Sequence, residues 1–292
     1  MSSSSRAGAA SGGGGASHVL LTQPGAPGLA VIEPRGNTAA RRDRDAAPVP
    51  PTALVVLLHG LGDSSAGWAD SALHALAPRL PHARFALPTA PRAPVTVNGG
   101  QPSNSWYDIE SLGRAGFNRA NERCAGIEAS EARLLALIDQ QRRPRRGIAA
   151  ANASASAGVG AAGGAVAEAA AEEGAPIPLS RVVLAGFSQG CAMTLMTGLR
   201  HCDRLAGLLC MSGYLPLADK TAAERSPANQ DVPIFMAHGT RDPVVLLPRA
   251  TASRDHLQSL GYAVQWHEYA MEHSLCQEEI QDIEDWLLRV LA

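Results

Sequence analysis

Four apolar runs stand out along the chain. Ala53-Leu54-Val55-Val56-Leu57-Leu58 is unbroken, and Val182 to Ala185, Gly207 to Met211 and Pro233 to Ala237 read the same way. Runs without polar alternation suit strands covered on both faces, as in a parallel sheet. Ala263 to Tyr269 alternates more and predicts a further strand. Leu29 to Pro34 predicts a short edge strand, because Pro34 has no N–H to give an inner ladder. Helical spacing lies between these runs. Asn121 to Gln141 sets Ile127, Leu134, Leu137 and Ile138 on one face, and Pro144 bars its continuation. Leu247 to Leu260 is a second helix, stopped by Gly261. Glu278 to Leu291 is a third, with Ile280, Ile283, Leu287 and Val290/Leu291 in helical register. Strands that alternate with helices imply an α/β fold with a doubly wound, mostly parallel sheet.

Two stretches break the pattern. Met1 to Ser17 is Ser/Gly/Ala-rich, and residues 1–28 are expected to form a disordered N-terminal segment. Met1 to Ser17 has no apolar core of a secretory signal; free of acids and carrying Arg6, it faintly resembles a transit peptide, but without the basic amphipathic character. Arg41 to Pro51 is a charged, Pro-rich connector. Gly147 to Pro178 is mostly Ala and Gly, without large apolar residues to bury, and reads as a mobile low-complexity surface insertion. The folded domain is therefore expected over residues 29–292, with that insertion inside it.

Composition changes this picture little. Of 292 residues 46% are hydrophobic, but much of that is alanine in the two biased segments, so the core is smaller than the figure suggests. The formal net charge of −2 points to neither nucleic acid nor an anionic membrane as partner. No run is long and apolar enough for stable membrane insertion. The five cysteines are odd in number and include no C-x-x-C pair. They fit reduced thiols in a cytoplasmic protein.

The candidate chemistry begins at Gly186-Phe187-Ser188-Gln189-Gly190, directly after an apolar strand and before a helix-compatible segment. Gly-x-Ser-x-Gly in that setting is a nucleophile elbow, a turn so sharp that side chains two residues before and after the serine must be absent. Ser188 needs a base, and in this arrangement the chain order is serine, acid, histidine. Of the later histidines, His201 lies too close to the elbow and His238 precedes the expected acid. His256 sits mid-helix, and His267 lies within a strand. His273 follows a strand, in the loop where such a sheet places its active site. Asp242 ends the strand Pro233 to Ala237 in a turn, whereas Asp255 and Asp231 lie on the next helix and before the strand. Two backbone N–H groups should form an oxyanion hole. One is that of Gln189, and Leu61 in the glycine-rich loop His59-Gly60-Leu61-Gly62-Asp63 is the candidate for the other.

These motifs, with Trp68, Ser105-Trp106-Tyr107-Asp108-Ile109, Asp242-Pro243-Val244-Val245 and His273-Ser274, together resemble the acyl-protein thioesterase/carboxylesterase family. The likeness spans roughly Leu54 to Leu291. Pro94 to Gly100 is similar to its bacterial carboxylesterase branch. The resemblance implies an α/β-hydrolase fold without a large lid domain, no cofactor and no metal. It implies hydrolysis of carboxylic esters and acyl thioesters by an acyl-enzyme mechanism, with Ser188, Asp242 and His273 as triad and Leu61 and Gln189 as oxyanion donors. Expected substrates are short to medium acyl esters and fatty acyl thioesters, including S-acylated proteins. Trp106, Ile109 and Leu112 are candidates to line an acyl channel, with core or lid packing as the alternative. A homodimer is plausible from the resemblance. The competing activities are a lysophospholipase and a non-catalytic hydrolase-fold binding protein. Two departures from the family pattern are Cys191 in place of a glycine after the elbow, and Arg241 in place of a small or acidic residue beside Asp242.

Overall fold

The computed structural model describes residues 18–22, 28–34, 50–111, 123–144 and 174–292. They build an eight-stranded sheet in the order β1-β2-β4-β3-β7-β8-β9-β10. The strands are β1 (His18–Thr22), β2 (Leu29–Pro34), β3 (Ala53–Leu58), β4 (Ala83–Pro88), β7 (Val182–Phe187), β8 (Gly207–Met211), β9 (Ile234–Gly239) and β10 (Val264–Tyr269). A separate hairpin pairs β5 (Arg92–Val95) with β6 (Gln101–Asn104). The six strands from β4 to β10 run parallel, and β1 and β2 add an antiparallel pair at one edge. From β3 the chain turns one way to β4 and later returns on the other side as β7. Ligand crevices in doubly wound sheets open at the carboxyl ends of the strands where the winding reverses.

The apolar runs are strands for the reason their pattern suggests. In β3, Leu54, Val56 and Leu58 enter one hydrophobic core, and Ala53, Val55 and Leu57 enter the other. The first core packs under α2 (Ile127–Arg142), α3 (Gln189–Arg200) and α5 (Leu247–Ser259). The second packs under α1 (Ser65–Ser71) and α6 (Gln277–Val290), and α4 (Ala218–Glu224) lies beside the first. Every residue of α3 from Gln189 to Leu199 is buried, so this helix forms an internal wall beneath the site.

Several expectations are corrected. His18–Thr22 lies within the stretch expected to be disordered, yet it is a strand paired antiparallel with Leu29–Pro34. The buried His18 ring also hydrogen-bonds the Ala83 carbonyl at 3.1 Å. β2 is therefore an inner strand, and the sheet edges are β1 and β10. The helix expected over Asn121 to Gln141 begins at Ile127, because Gly126 takes a left-handed φ of 91° just before it. The insertion ends before Ile177, which is buried in the first core and donates its N–H to the Arg142 carbonyl at 2.9 Å. The rest of the insertion, over 147–173, and residues 1–17 lie outside the described residues.

Glu279, in the first turn of α6, is fully buried. Burial pushes its carboxyl up to about 8, against a weak opposing pull from the Cys276 backbone. The folded value stands above the unfolded one of about 4.3. The neutral carboxyl thus favours folding at acid pH, and that contribution is lost as pH rises through about 8. Glu279→Gln should remove this titration. In thermal melts from about pH 5 to pH 9 the wild-type midpoint should fall more steeply than the variant's, by the equivalent of a few kcal/mol.

Candidate active site

The β7–α3 junction carries Ser188 at φ 55°, ψ −115°. A non-glycine residue in that region costs on the order of 1–3 kcal/mol and persists only where its surroundings enforce it. Here they do. A Cβ on Gly186 would come within 2.2 Å of the Gly190 carbonyl carbon, and one on Gly190 within 2.1 Å of the Leu58 carbonyl oxygen. The Ser188 N–H is spent on the Met211 carbonyl at 2.9 Å, which ties the turn to β8. Cys191 fits because the chain opposite it is Gly213, where a Cβ would lie 2.5 Å from Cys191 Sγ.

Asp242 and His273 meet across the ends of β9 and β10. His273 Nδ1–H donates to Asp242 Oδ2 at 2.6 Å. Asp242 Oδ1 accepts the N–H groups of Val244 at 2.8 Å and Val245 at 2.9 Å. Burial by itself would raise the Asp242 carboxyl, but the His273 bond and charge and the two amides outweigh it and hold it below its ordinary range. Phe187, next to Ser188, lies 4.7 Å from the His273 ring and 5.4 Å from the Trp68 ring. Among the described residues no hydrogen bond joins Ser188 Oγ to His273; such contacts commonly tighten only with substrate bound. His238, passed over for its chain order, stands 3.4 Å from Asp242 Oδ2 and donates Nε2–H to the Val245 carbonyl at 2.7 Å. Burial lowers its pKa. It buttresses the Asp242 carboxylate, a contact legible only once the Asp242 turn has folded back on β9.

On the other side of Ser188, the loop after β3 brings its backbone close. A Cβ on Gly60 would lie 3.3 Å from Ser188 Cβ. Gly62 N–H is engaged by the Asn104 carbonyl at 2.9 Å and Asp63 N–H by the Gly60 carbonyl at 3.3 Å. The amide of Leu61 between them has no acceptor among the described residues. Gln189 opens α3, so its N–H lies at the helix's positive end, where an anion is favoured.

Comparisons with known proteins place the chain in a family. The family model for phospholipase/carboxylesterase matches residues 45–291. The chain belongs to that family. Acyl-protein thioesterase 1 of Yarrowia lipolytica is 39% identical over 240 residues, covering 81% of this chain and 91% of the relative. Acyl-protein thioesterase 1 of Mycosarcoma maydis is 38% identical over 249 residues, covering 83% and 93%. Among solved structures, Arabidopsis thaliana SOBER1 superposes with TM-score 0.65 at 25% identity, covering 82% of this chain and 99% of that one. Zea mays acyl-protein thioesterase 2 has TM-score 0.66 and shows the same fold at 24% identity, covering 90% and 99%. The protein is an α/β-hydrolase, a serine hydrolase acting on thioesters and esters.

Within this hydrolase the channel candidates sort differently. Trp106 and Ile109 are buried in the first core, and the Trp106 indole N–H donates to the His59 carbonyl at 2.9 Å. Leu112 lies outside the described residues. Arg241 does not act on Asp242 by contact. Its Nη2 donates to the Ala270 carbonyl at 2.6 Å and its backbone N–H to the Met271 carbonyl at 3.0 Å, which fastens the loop that presents His273. Arg241→Ala removes one exposed hydrogen bond, worth about 1 kcal/mol. The thermal midpoint should fall by about 2–4 °C, with a several-fold loss of kcat, read by melting and steady-state assays.

Proposed function

We propose that Ser188, Asp242 and His273 are the catalytic triad of this hydrolase, with the Leu61 and Gln189 amides as its oxyanion hole, and that its substrates include S-acylated proteins. The closed 2.6 Å Asp242–His273 bond beside the strained Ser188 turn carries this reading. In the first half-reaction Ser188 Oγ attacks the acyl carbonyl carbon and His273 takes the hydroxyl proton. The two amides hold the resulting oxyanion. The intermediate collapses to the acyl-enzyme as His273 returns that proton to the departing thiolate or alkoxide. Water then attacks with His273 as base again, releasing the acid and regenerating Ser188. Asp242 fixes the tautomer with the proton on Nδ1, which leaves Nε2 free to act as base.

The acyl-protein thioesterase relatives support an S-acyl cysteine as one substrate. The described cysteines are free thiols, which supports a cytoplasmic setting, and no helix among the described residues is long and apolar enough to cross a membrane. A fluorophosphonate probe tests the reading. The wild-type chain should be labelled at Ser188, and His273→Ala should lose labelling while remaining folded, with a lower melting midpoint because Asp242 loses its 2.6 Å partner. A folded wild-type chain that resists the probe would favour a hydrolase-fold binding protein instead.

A further inference from the structure

The two proposed oxyanion donors come from segments far apart in sequence, and their separation has to be held to a fraction of an ångström for both to meet one oxygen. The Gln189 side chain is 2% exposed, although nothing in the acyl-transfer scheme uses it. Its carboxamide is fully engaged. Oε1 accepts the Trp106 backbone N–H at 3.0 Å, and Nε2 donates to the Tyr107 carbonyl at 2.7 Å and to Ser105 Oγ at 3.0 Å. Rotating the amide by half a turn would set donor against donor and acceptor against acceptor, so the orientation is fixed by its partners. Ser105 N–H is itself held by the Pro91 carbonyl at 2.9 Å.

The segment gripped by Gln189 reaches the other donor. From Trp106 the indole N–H donates to the His59 carbonyl at 2.9 Å, two residues before Leu61. The Trp106 and His59 rings pack at 5.2 Å. His59 is pinned on its far side as well. Ala90 N–H donates to Nε2 at 2.9 Å, and Nδ1–H donates to the Gly60 carbonyl at 2.6 Å. The Ala90 N–H makes Nε2 an acceptor, and burial, which lowers the pKa of this histidine, acts in the same direction. A continuous path of buried groups thus runs from the Gln189 backbone through its own side chain, the 105–107 segment and the Trp106 indole to the His59 carbonyl, two residues before the half-buried Leu61.

We infer that the Gln189 carboxamide and the Trp106 indole are positioning residues that set the distance between the Gln189 and Leu61 amides, so that Trp106 shapes the oxyanion hole rather than an acyl channel. The inference rests on the proposed oxyanion hole. Trp106→Phe keeps the ring stacked in the core but deletes the N–H that holds the His59 carbonyl. A misplaced amide weakens only the states that carry an oxyanion. Loss of a whole oxyanion donor costs about 10²–10³ in kcat, so a misplaced one should cost about 10–10².

The test measures turnover of a short acyl ester and an acyl thioester, together with affinity for an alkylboronic acid, which forms a tetrahedral anion on the serine. For Trp106→Phe, kcat should fall by about 10–10²-fold with KM within about twofold, and boronate affinity should fall in parallel. The thermal midpoint should fall by several degrees, because a buried hydrogen bond is lost, but the variant should remain folded at the assay temperature. A folded variant with kcat and boronate affinity unchanged overturns the brace. Gln189→Glu gives an independent readout should Trp106→Phe fail to fold. A protonated carboxyl keeps one donor and one acceptor, whereas a carboxylate faces the Tyr107 carbonyl. The variant-to-wild-type ratio of kcat should therefore rise as pH falls, and a flat ratio overturns the brace. A wild-type chain that neither turns over substrate nor binds the boronate overturns the oxyanion hole itself, and the brace with it.

Discussion

Ser188→Ala should lower kcat for ester and thioester hydrolysis by about 10⁵–10⁶-fold, the scale on which removal of a triad nucleophile is felt in serine hydrolases. The chain should otherwise remain intact. Alanine keeps the Cβ, so it inherits the φ of 55° with its strain, and the Ser188 N–H bond to the Met211 carbonyl does not involve the hydroxyl. The thermal midpoint should therefore match that of the wild type. Ser188→Gly supplies the contrast, since glycine adopts positive φ without penalty. It should be equally inactive but more stable, by on the order of 1–3 kcal/mol. Steady-state assays with calorimetry on the three proteins separate the two effects. Turnover retained by the alanine variant would remove Ser188 from the mechanism. Equal melting of the alanine and glycine variants would show instead that the turn stores no strain.

Four of the strands read from sequence are covered on both faces, and burial on two sides forces continuous apolar residues, whereas the half-buried β10 is read from its alternation. β3 and β8 are of this kind, every residue of each being buried. β4 escapes the same logic because Arg84 interrupts it. That side chain is 2% exposed, pairs with Glu33 at 2.8 Å and donates to the Arg143 carbonyl at 3.0 Å, so its charge is met by partners unrelated to the local pattern. The β5–β6 hairpin escapes because Arg92-Ala93-Pro94-Val95 and Gln101-Pro102-Ser103-Asn104 carry neither apolar runs nor alternation. At the site, Ser188, Asp242 and His273 were legible because each sits just beyond a strand, and a parallel sheet gathers those ends on one rim. The Gln189 carboxamide and the Trp106 indole were not. Their partners lie 83 and 47 residues away, and no spacing rule links such positions before the chain has folded. His238 shows the same limit, since its order in the chain argued against a base and said nothing of its packing against Asp242.

Asp242→Asn tests the acid with less disturbance than truncation. Asparagine Oδ1 can keep the Val244 and Val245 amides, which fixes Nδ2–H toward His273 Nδ1, where Asp242 Oδ2 now accepts at 2.6 Å. A donor facing Nδ1 makes that nitrogen the acceptor and moves the imidazole proton to Nε2, the atom that must receive the Ser188 proton. The base is then present but in the wrong tautomer, and kcat should fall by about 10⁴-fold, the loss seen for this exchange in a serine protease triad. Fluorophosphonate labelling should slow along with turnover, since both require the same proton transfer. His238 sharpens the expectation. Its Nε2–H already donates to the Val245 carbonyl and lies 3.4 Å from the Asp242 oxygen, so an NH₂ group there meets a second donor with no acceptor between them. Stability should carry its own signature. Asp242 is held below its ordinary range in the folded chain, so it stabilises the fold above pH about 4 and loses that contribution as pH falls through the folded value. Asparagine does not titrate. The wild-type protein should melt above the variant at neutral pH, and the gap should close as the solution is acidified. A gap independent of pH would mean that the carboxylate charge contributes nothing to the fold. Turnover within tenfold of the wild type would mean that the tautomer of His273 is set by some other group.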